Sequence, residues 1–306
     1  MHGMAFHHFP NLVSRRVIAR AASGMTTTTV DSGYLCCVLY ISEGKDKSVL
    51  DAIVSKVKST EGATLVRDFR DPVYHRTGLT IAGGPSCVET AAIEASRFAI
   101  GAIDLSRHKA THPRVGSVDH ISVHSIGGLP ESTAKESGLK IARTLGDEGL
   151  PVILYGELKS GRRLAEIRRS LPYFSGDPLP QTIEADMGPN EVSPSQGIAT
   201  IGCTPLVINY NLLLSTKDKR LAAAVTRSVR EKDGGLPWVE ALTLSREDGR
   251  YEAACNLLRP EQSTPEMVLA AAQAEAESLG ISVVDDYSTG LTEAQVIASM
   301  VKGGLV

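Results

Sequence analysis

The order of strand and helix patterns along the chain is the strongest constraint on its fold. In each half, an apolar run is followed by a helical pattern, two strand patterns, a second helical pattern and a last strand pattern. This order is that of the split βαβ, or ferredoxin-like, unit. Such a unit packs its helices against one face of a sheet. The sequence therefore predicts an α+β fold with two ferredoxin-like subdomains, each a two-layer arrangement of sheet and helices.

The periodicity of the apolar residues places these elements in the chain. We expect the first subdomain to cover residues 34–180 and the second to cover residues 181–306, with a cleft between them as the usual place for a ligand. The strand patterns lie at 34–41, 63–66, 77–82, from 118, 152–155, 199–214, 239–244, 251–258 and 281–284. The helical patterns lie at 48–57, 86–100, 130–145, 216–229, 264–280 and 292–300.

Residues 1–33 differ in composition from the rest of the chain. They contain Arg15, Arg16 and Arg20 with several Ser and Thr residues, and no acidic residue precedes Asp31. This bias is typical of an organelle transit peptide, and the alternative is a disordered leader. We expect a cytoplasmic protein, or a plastid or mitochondrial one if the segment is a transit peptide.

Charge and cysteine content argue against several classes of protein. The net charge of −3 provides no basic surface for nucleic acid. No apolar run reaches the roughly 18 residues that a membrane span requires. The five cysteines are scattered and lie mostly in apolar stretches, which favours reduced thiols in an intracellular protein. We therefore expect neither nucleic acid nor a membrane as a partner.

Four of the eight histidines lie close together in the sequence. The second of them, His112, precedes Pro113, which disfavours helical backbone, so we expect a loop here. This loop leads into the strand predicted from Val118, on which His120 and His124 fall on one face. A loop held by a rigid strand is a common support for a catalytic group.

His112 is the candidate general acid and base. An imidazole with a pKa near 6.5 can both accept and donate a proton at neutral pH. The alternative role for His112 is a histidine bonded to the backbone of its loop. Arg114 suits an anionic substrate because a guanidinium group binds a carboxylate through two parallel hydrogen bonds. The alternative role for Arg114 is a surface salt bridge.

A metal site is the alternative interpretation of the histidine cluster. Zinc at a catalytic site commonly takes three protein ligands. A site built from these histidines would make the protein a metal-dependent hydrolase. However, Pro113 interrupts any helix through the first two of them, and no H-E-x-x-H motif is present. The four candidate ligands are His108, His112, His120 and His124.

A loop of ten residues is the second candidate segment. Two glycines and two prolines fix an irregular path, and the Asn, Ser and Gln side chains offer both donors and acceptors. Such a loop can wrap a flat heteroaromatic ligand, and the alternative is a linker between the two subdomains. The residues of this loop are Gly188, Pro189, Asn190, Glu191, Val192, Ser193, Pro194, Ser195, Gln196 and Gly197.

Six short segments, in order along the chain, match the motifs of one family. They are Ile41–Gly44 (F-S-E-G in the family), Asp104 with His108–Asp119 (D-x-R-x-H-x-G-E-H-P-R-x-G-x-x-D), Leu154–Glu157 (L-Y-G-E), Asp186 with Gly188–Gly197 (D-x-G-P-x-x-x-x-P-x-x-G), Asn209–Leu212 with Leu214–Lys217 (N-x-N-L-L-S-T-K) and Cys255–Leu258 (T-N-L-L). On these motifs the chain resembles the formimidoyltransferase domain of formimidoyltransferase-cyclodeaminase. It is most similar to the short plant-type proteins that resemble only that domain, and the resemblance covers residues 34–303.

The resemblance implies a fold, an activity and a set of site residues. It implies two ferredoxin-like subdomains with a folate bound between them, and transfer of a formimino or formyl group from an N-substituted glutamate to tetrahydrofolate. His112 falls on the catalytic histidine and residues 188–197 fall on the folate loop. Arg76, Arg114 and Arg168 are expected to bind substrate or folate. Tetrahydrofolate would be a co-substrate, no metal is expected, and a homodimer is the assembly expected if the protein oligomerises.

The chain departs from the family motifs in its first strands. The family's D-V-D-A-G-P is replaced by Arg67–Pro72, so the carboxylate of that motif does not line up, and the Asn of the following N-R-T is His75. A carboxylate would stabilise the cationic amidine carbon during transfer, and Asp68 or Asp71 is the candidate replacement. The alternative function is therefore a catalytically weak folate-binding protein on the same scaffold.

Overall fold

The first sheet begins with the predicted split βαβ unit. The computed structural model describes residues 33–110, 112–173 and 177–303. The unit consists of β1 (Tyr34–Ile41), α1 (Lys47–Lys58), β2 (Ala63–Asp71), β3 (Arg76–Gly83), α2 (Pro85–Ala102) and β4 (Val118–Ile126). Its strands lie in the order β2, β3, β1, β4, and each neighbouring pair is antiparallel. This is the ferredoxin-like arrangement expected from the element order.

Two parallel strands extend the first sheet beyond β4. They belong to a segment that consists of α3 (Glu131–Asp147), β5 (Val152–Gly156), α4 (Leu164–Ser170) and β6 (Ala199–Cys203). β6 pairs with β4 on one side and with β5 on the other, in parallel both times. The prediction that the apolar run at 199–214 is one strand opening the second half is therefore wrong. The run is interrupted after Cys203, where Pro205 lacks the N–H that a strand interior requires.

The second sheet repeats the same arrangement. Its elements are β7 (Ile208–Leu214), α5 (Lys219–Val229), β8 (Val239–Ser245), β9 (Tyr251–Leu257), α6 (Pro265–Ser278) and β10 (Val283–Ser288), and α7 (Glu293–Lys302) follows. The strands lie in the order β10, β7, β9, β8, with antiparallel pairing throughout. The α+β class and the repeated split βαβ unit are thus confirmed. The sheets change between β6 and β7, and we keep the subdomain division at residue 180 as a proposal.

The helices of the first sheet cover one of its faces and form its core. α1 shows why: Asp46 caps its first turn by accepting hydrogen bonds from the backbone N–H groups of Ser48 and Val49, and the buried Leu50, Ile53 and Val57 recur at helical spacing. α2 and α3 add Ala and Leu side chains to the same core. The opposite face of the sheet is thereby left free to turn towards the second sheet and α7.

Two expectations concern the ends of the chain and membranes. The predicted leader at 1–33 lies almost wholly outside the described residues, and the transit-peptide hypothesis stays a prediction. Within the part of the chain that the structure describes, no helix is both long and apolar enough to cross a bilayer.

Candidate active site

The polar face of the first sheet is built around three ring side chains. Tyr40 on β1, His120 on β4 and Tyr155 on β5 lie side by side, with ring centroids 5.9 and 5.4 Å apart. Gly78 and Gly202 leave room for the tyrosines, because a Cβ on either glycine would lie within 3 Å of a tyrosine ring. Tyr40 also donates a hydrogen bond, 2.8 Å long, to Oδ1 of Asn209 on β7. This face of the first sheet therefore contacts the second sheet through Tyr40.

His112 lies at the edge of this face, in the loop that leads into β4. Its Nδ1 is 2.6 Å from the carbonyl oxygen of Pro113. A carbonyl oxygen can only accept, so Nδ1 carries the proton and Nε2 carries the lone pair. Nη1 of Arg76 lies 2.9 Å from each ring nitrogen, and Nε2 is the nitrogen that can accept its hydrogen bond. The alternative role of a backbone-bonded histidine therefore applies to one nitrogen and leaves the other directed at the site.

Burial and positive charge keep His112 neutral. Removal from water lowers the pKa of its imidazole well below 6.5, and the guanidinium of Arg76 lowers it further. Arg168 and Arg114 act in the same direction, whereas the hydrogen bond to Pro113 partly opposes them. At neutral pH the imidazole is thus a proton acceptor in a positively charged environment.

Arg76 links this histidine to the sheet. Its Nη2 lies 3.4 Å from Oδ2 of Asp119, which is 2 % exposed, and its guanidinium lies 4.5 Å from the Tyr40 ring centroid. The other oxygen of Asp119 accepts a hydrogen bond of 2.7 Å from the backbone N–H of Val115. Asp119 thereby holds both the arginine and the loop that carries His112.

Arg114 and Arg168 also lie near His112, as their effect on its pKa indicates. Arg114 donates a hydrogen bond to the carbonyl oxygen of His108 and so braces the loop. Among the residues that the structure describes, it does not form the surface salt bridge considered as its alternative. The guanidinium of Arg168 lies 4.7 Å from the Tyr173 ring centroid and interacts electrostatically with Glu240 on β8. The three arginines that are expected to bind substrate or folate therefore lie near one histidine.

The histidine loop is the segment between α2 and β4 that carries His112. Hydrogen bonds join the loop at 188–197 to both of its ends. The carbonyl oxygen of Ser195 accepts from the N–H of Leu105 at 2.7 Å, and that of Gln196 accepts from Ser117 at 2.8 Å. Gly116 and Gly197 form an isolated bridge between the two backbones. The loop is followed by β6 of the first sheet, so the alternative that it links the two sheets is wrong.

The first part of the same loop lies elsewhere. Gly188 packs against Gly146 near the end of α3, and a Cβ on Gly188 would lie 2.3 Å from the carbonyl oxygen of Leu150. Asn190 closes a hairpin by accepting hydrogen bonds from the N–H groups of Ile183 and Ala185. Only residues 195–197 therefore make these backbone contacts with the histidine loop.

The four histidines of the metal hypothesis do not converge. His120 contacts Tyr155 and Thr200, and His124 bonds to Ser122 and to the carbonyl oxygen of Thr204, so the ring nitrogens of both already have partners. Among the described residues, the alternative of a shared metal cluster at His108, His112, His120 and His124 is therefore wrong, because their strand and loop positions give each a different set of neighbours.

Another group of side chains has the composition of a metal site. Among residues 33–110, 112–173 and 177–303, Glu43, His75 and His108 are the set whose ligand atoms all lie within 4.8 Å of one another. However, the His75 and His108 rings are stacked, with centroids 3.8 Å apart and planes at 16°. A nitrogen lone pair lies in the plane of its ring, so one ion cannot lie in both planes. The stack instead joins the histidine loop to Glu43, which accepts from His75 Nε2 at 2.8 Å.

Neither candidate replacement for the missing carboxylate reaches His112 in this structure. Asp68 is held by Arg70 on the same strand, and Asp71 accepts a hydrogen bond from the backbone N–H of Tyr74. Burial raises the pKa of Asp71. Asp119 is the buried carboxylate within reach of Arg76, and the sequence placed it only as the last residue of the histidine motif.

Sequence reasoning also missed the residues that surround the histidine from other elements. Tyr74 packs the edge of its ring against His112, with centroids 5.6 Å apart. Glu252 on β9 is fully buried and bonds to Tyr74. The signals available were an acidic residue in a largely apolar strand pattern and a tyrosine two residues before Arg76. Neither signal indicates a partner.

Comparison with known proteins identifies the family to which the chain is similar. Residues 34–204 match the family model of the formiminotransferase domain, N-terminal subdomain. The chain is 31 % identical over 280 residues to the formiminotransferase cyclodeaminase-like protein of Arabidopsis thaliana, covering 86 % of this chain and 94 % of that protein. It is 24 % identical over 269 residues to glutamate formimidoyltransferase of Streptococcus pyogenes serotype M1, covering 85 % and 89 %.

A longer relative has the same level of identity. Formimidoyltransferase-cyclodeaminase of Mus musculus is 31 % identical over 279 residues, which are 85 % of this chain and 50 % of that protein. The chain therefore spans about half the length of this relative. The family model covers more than half of the chain, and its match includes the histidine loop, the three arginines and the loop at 188–197. This protein belongs to the formiminotransferase family, a family of transferases.

Proposed function

We propose that this protein transfers a formimino group from an N-formimino glutamate to tetrahydrofolate, with His112 as the general acid and base. The observation that carries the proposal is the state of His112: a buried imidazole kept neutral by burial and by nearby arginines, with its Nε2 lying 2.9 Å from Nη1 of Arg76. Membership of the formiminotransferase family supports the choice of reaction.

The reaction needs one proton transfer in each direction. A ring nitrogen of tetrahydrofolate attacks the formimino carbon, and a new C–N bond forms while the nitrogen loses its proton to Nε2 of His112. The C–N bond to the glutamate nitrogen then breaks, and the imidazolium returns the proton to that nitrogen. The products are formimino-tetrahydrofolate and glutamate, and His112 ends in its starting form.

The arginines have a separate task. Formimino glutamate carries two carboxylates, and Arg76, Arg114 and Arg168 offer charge-assisted hydrogen bonds to such groups. A carboxylate that binds Arg76 would compete with Nε2 of His112 for its Nη1, so substrate binding would free the base. Since Nδ1 stays bonded to Pro113, the ring would keep its tautomer while Nε2 becomes available.

The folate would lie along the loop at 188–197. The backbone contacts between residues 195–197 and the ends of the histidine loop support this placement. They fix the two loops relative to each other, so a folate bound by one loop would have a fixed position relative to His112 on the other. Gly188, Pro189, Asn190, Glu191, Val192, Ser193, Pro194, Ser195, Gln196 and Gly197 remain the proposed folate loop, and tetrahydrofolate remains a co-substrate.

The test is a transfer assay with the full chain, tetrahydrofolate and either N-formimino or N-formyl glutamate. We expect turnover with the formimino donor and a loss of roughly 100-fold or more in kcat for His112→Ala, the loss typical of an acid/base. Tetrahydrofolate affinity, measured by calorimetry, should change little in the variant. Faster transfer from the formyl donor would reassign the group transferred, and an unchanged kcat in His112→Ala would remove the role of His112.

A second candidate function is folate binding without efficient turnover. The observation that favours it is that Asp68, the nearest carboxylate in sequence to the family's first-strand position, is paired with Arg70. Binding of tetrahydrofolate by the wild-type chain without transfer from either donor would support this function. The homodimer and the compartment also stay predictions, to be measured by light scattering and with a fluorescent fusion.

A further inference from the structure

A single carboxylate in the second sheet is bonded to a side chain that touches His112. Oε2 of Glu252 on β9 accepts a hydrogen bond of 2.6 Å from the hydroxyl of Tyr74, which is 178 residues away in sequence. Glu252 is 0 % exposed and Tyr74 is 3 % exposed. The contact therefore joins the turn between β2 and β3 to the interior of the second sheet.

Glu252 is fully engaged in this position. The hydroxyl of Tyr287 on β10 donates to Oε1 at 3.0 Å, and Nη1 of Arg246 pairs with the same oxygen. Asn211 on β7 in turn donates to the hydroxyl oxygen of Tyr287 at 3.2 Å. Tyr287 on β10 and Arg246 directly after β8 thus hold the carboxylate, and Asn211 on β7 holds Tyr287. The carboxylate is therefore a rigid acceptor for Tyr74.

Tyr74 connects Glu252 to the candidate active site. Its backbone N–H donates to Oδ1 of Asp71 at 2.9 Å, and its ring meets the His112 ring edge-on at 64°. Arg76 follows two residues later and holds Nε2 of His112. Both the ring contact and the arginine contact of His112 therefore come from one short turn, and Glu252 holds that turn from the second sheet.

We propose that Glu252 and Tyr74 are a positioning pair through which the second sheet sets the orientation of His112. The proposal rests on the function proposed above for His112. Loss of the hydroxyl would leave a buried acceptor without its donor and release the Tyr74 ring. A displacement of about 1 Å at a catalytic group can cost on the order of 100-fold in rate, so a ring in contact with the base is sensitive to its tether.

The first test compares Tyr74→Phe with Arg67→Gln. Arg67 also joins the two sheets, through hydrogen bonds to the carbonyl oxygens of Ser288 and Gly290, but those acceptors belong to β10 and the turn after it. We expect Tyr74→Phe to lower kcat by about 10-fold with KM changed less than about 2-fold, and Arg67→Gln to leave kcat unchanged. An equal loss of kcat in both variants, or none in Tyr74→Phe, would overturn the proposal.

A double-mutant cycle separates the pair from independent effects. If Glu252 acts through Tyr74, Tyr74→Phe combined with Glu252→Gln should be no slower than the slower single variant. If the two activation free-energy changes calculated from kcat add up in the double variant, the two residues do not act as a pair.

The second test does not depend on turnover. With ¹⁵N-labelled histidine, the Nδ1 and Nε2 resonances of His112, assigned from their loss in His112→Ala, report its tautomer and surroundings. We expect these resonances to shift in Tyr74→Phe and to stay in place in Arg67→Gln. If the wild-type chain binds folate without turnover, and the resonances still shift in Tyr74→Phe, the proposed function would be wrong and the positioning pair would stand. Unshifted resonances in Tyr74→Phe would overturn the pair even if the transfer reaction is confirmed.

Discussion

Nη1 of Arg76 lies 2.9 Å from Nε2 of His112, while Nδ1 of the same ring lies 2.6 Å from the carbonyl oxygen of Pro113. The backbone contact fixes the tautomer, and the arginine occupies the nitrogen that a base would use. The two contacts together describe an imidazole that is neutral, oriented and covered until another group competes for Arg76. An anionic substrate is such a group.

Replacing Arg76 should change the pH dependence of the reaction. Burial is the first cause of the lowered pKa of His112 and Arg76 is the second, so Arg76→Gln should raise that pKa towards 6.5. A base must be unprotonated, so the acid limb of kcat against pH should move to higher pH in the variant. Profiles measured between about pH 5 and about pH 8.5 check this. Arg97→Gln, on the exposed face of α2, removes the same charge and should leave the limb where it is.

Acidification should destabilise the protein above the range in which carboxylates titrate. The pKa of His124 is lowered from 6.5 to about 4, first by burial, and that of His108 is lowered to about 4 by burial and by Arg114. A lowered pKa means that the unfolded chain binds a proton before the folded one does. The free energy of unfolding should therefore be highest above 6.5 and fall as the pH decreases towards 4.

The decrease in the free energy of unfolding depends on how many more protons the unfolded chain binds than the folded one. Each fully buried histidine contributes on the order of 1 kcal/mol per pH unit within its window, and the partly buried His108 contributes less because solvent screens its charge. His112 and His120, with pKa values also well below 6.5, act in the same direction. Urea unfolding followed by circular dichroism at about pH 7 and about pH 5 measures it. A free energy of unfolding that is unchanged between these two conditions would contradict the burial of neutral histidines.

A methyl group at the junction of the two loops should be poorly tolerated. A Cβ on Gly116 would lie 2.1 Å from the carbonyl oxygen of Ile198, so the backbones must separate. We expect Gly116→Ala to lower the free energy of unfolding by about 1–3 kcal/mol and to weaken folate binding. Gly101→Ala is the control, because nothing lies within 4 Å of its Cβ in α2 and the helix should gain up to about 1 kcal/mol. Equal melting temperatures for the two variants would contradict the close contact.

Arg168 should matter for substrate affinity more than for the chemical step. Loss of one charge-assisted hydrogen bond costs about 1.5–3 kcal/mol, so Arg168→Gln should raise KM for the anionic substrate by roughly 10- to 100-fold. Arg169→Gln is matched in charge and sequence position, but the exposed side chain of Arg169 donates a hydrogen bond to the carbonyl oxygen of Ala165 in its own helix. Initial rates over a range of substrate concentrations separate the two variants. A similar KM for both would place Arg168 outside the substrate site.

The sequence was sufficient for features that depend on local periodicity. The alternation after Val118 correctly placed His120 and His124 on one face of β4, because neighbouring side chains of a strand point to opposite sides. The element order of the split βαβ unit was correct in both halves. Pro205 is a local signal that the apolar run contains two strands, but only the pairing of β6 and β7 assigns them to different sheets.

The histidine cluster shows the same limit within the site. The proximity of His108, His112, His120 and His124 in sequence suggested a shared metal, yet a loop and a strand face direct them to different partners. The expectation that Arg76 and Arg168 bind substrate or folate came from motif positions, whereas that for Arg114 also came from the chemistry of its guanidinium group, and all three stay predictions. Nothing in the spacing from Arg76 to His112, 36 residues, indicates a contact between them.

The sequence alone determined the α+β class, the repeated unit, the family motifs and the loop that carries His112, because each is encoded in residues close together in the chain. Only the tertiary structure decided that His112 is neutral, that Arg76 covers its Nε2, and that Glu252 holds Tyr74 against it. These properties depend on burial and on contacts between residues up to 178 positions apart. Such contacts exist only once both sheets have formed and packed together, since desolvation and charge act through space and not along the chain.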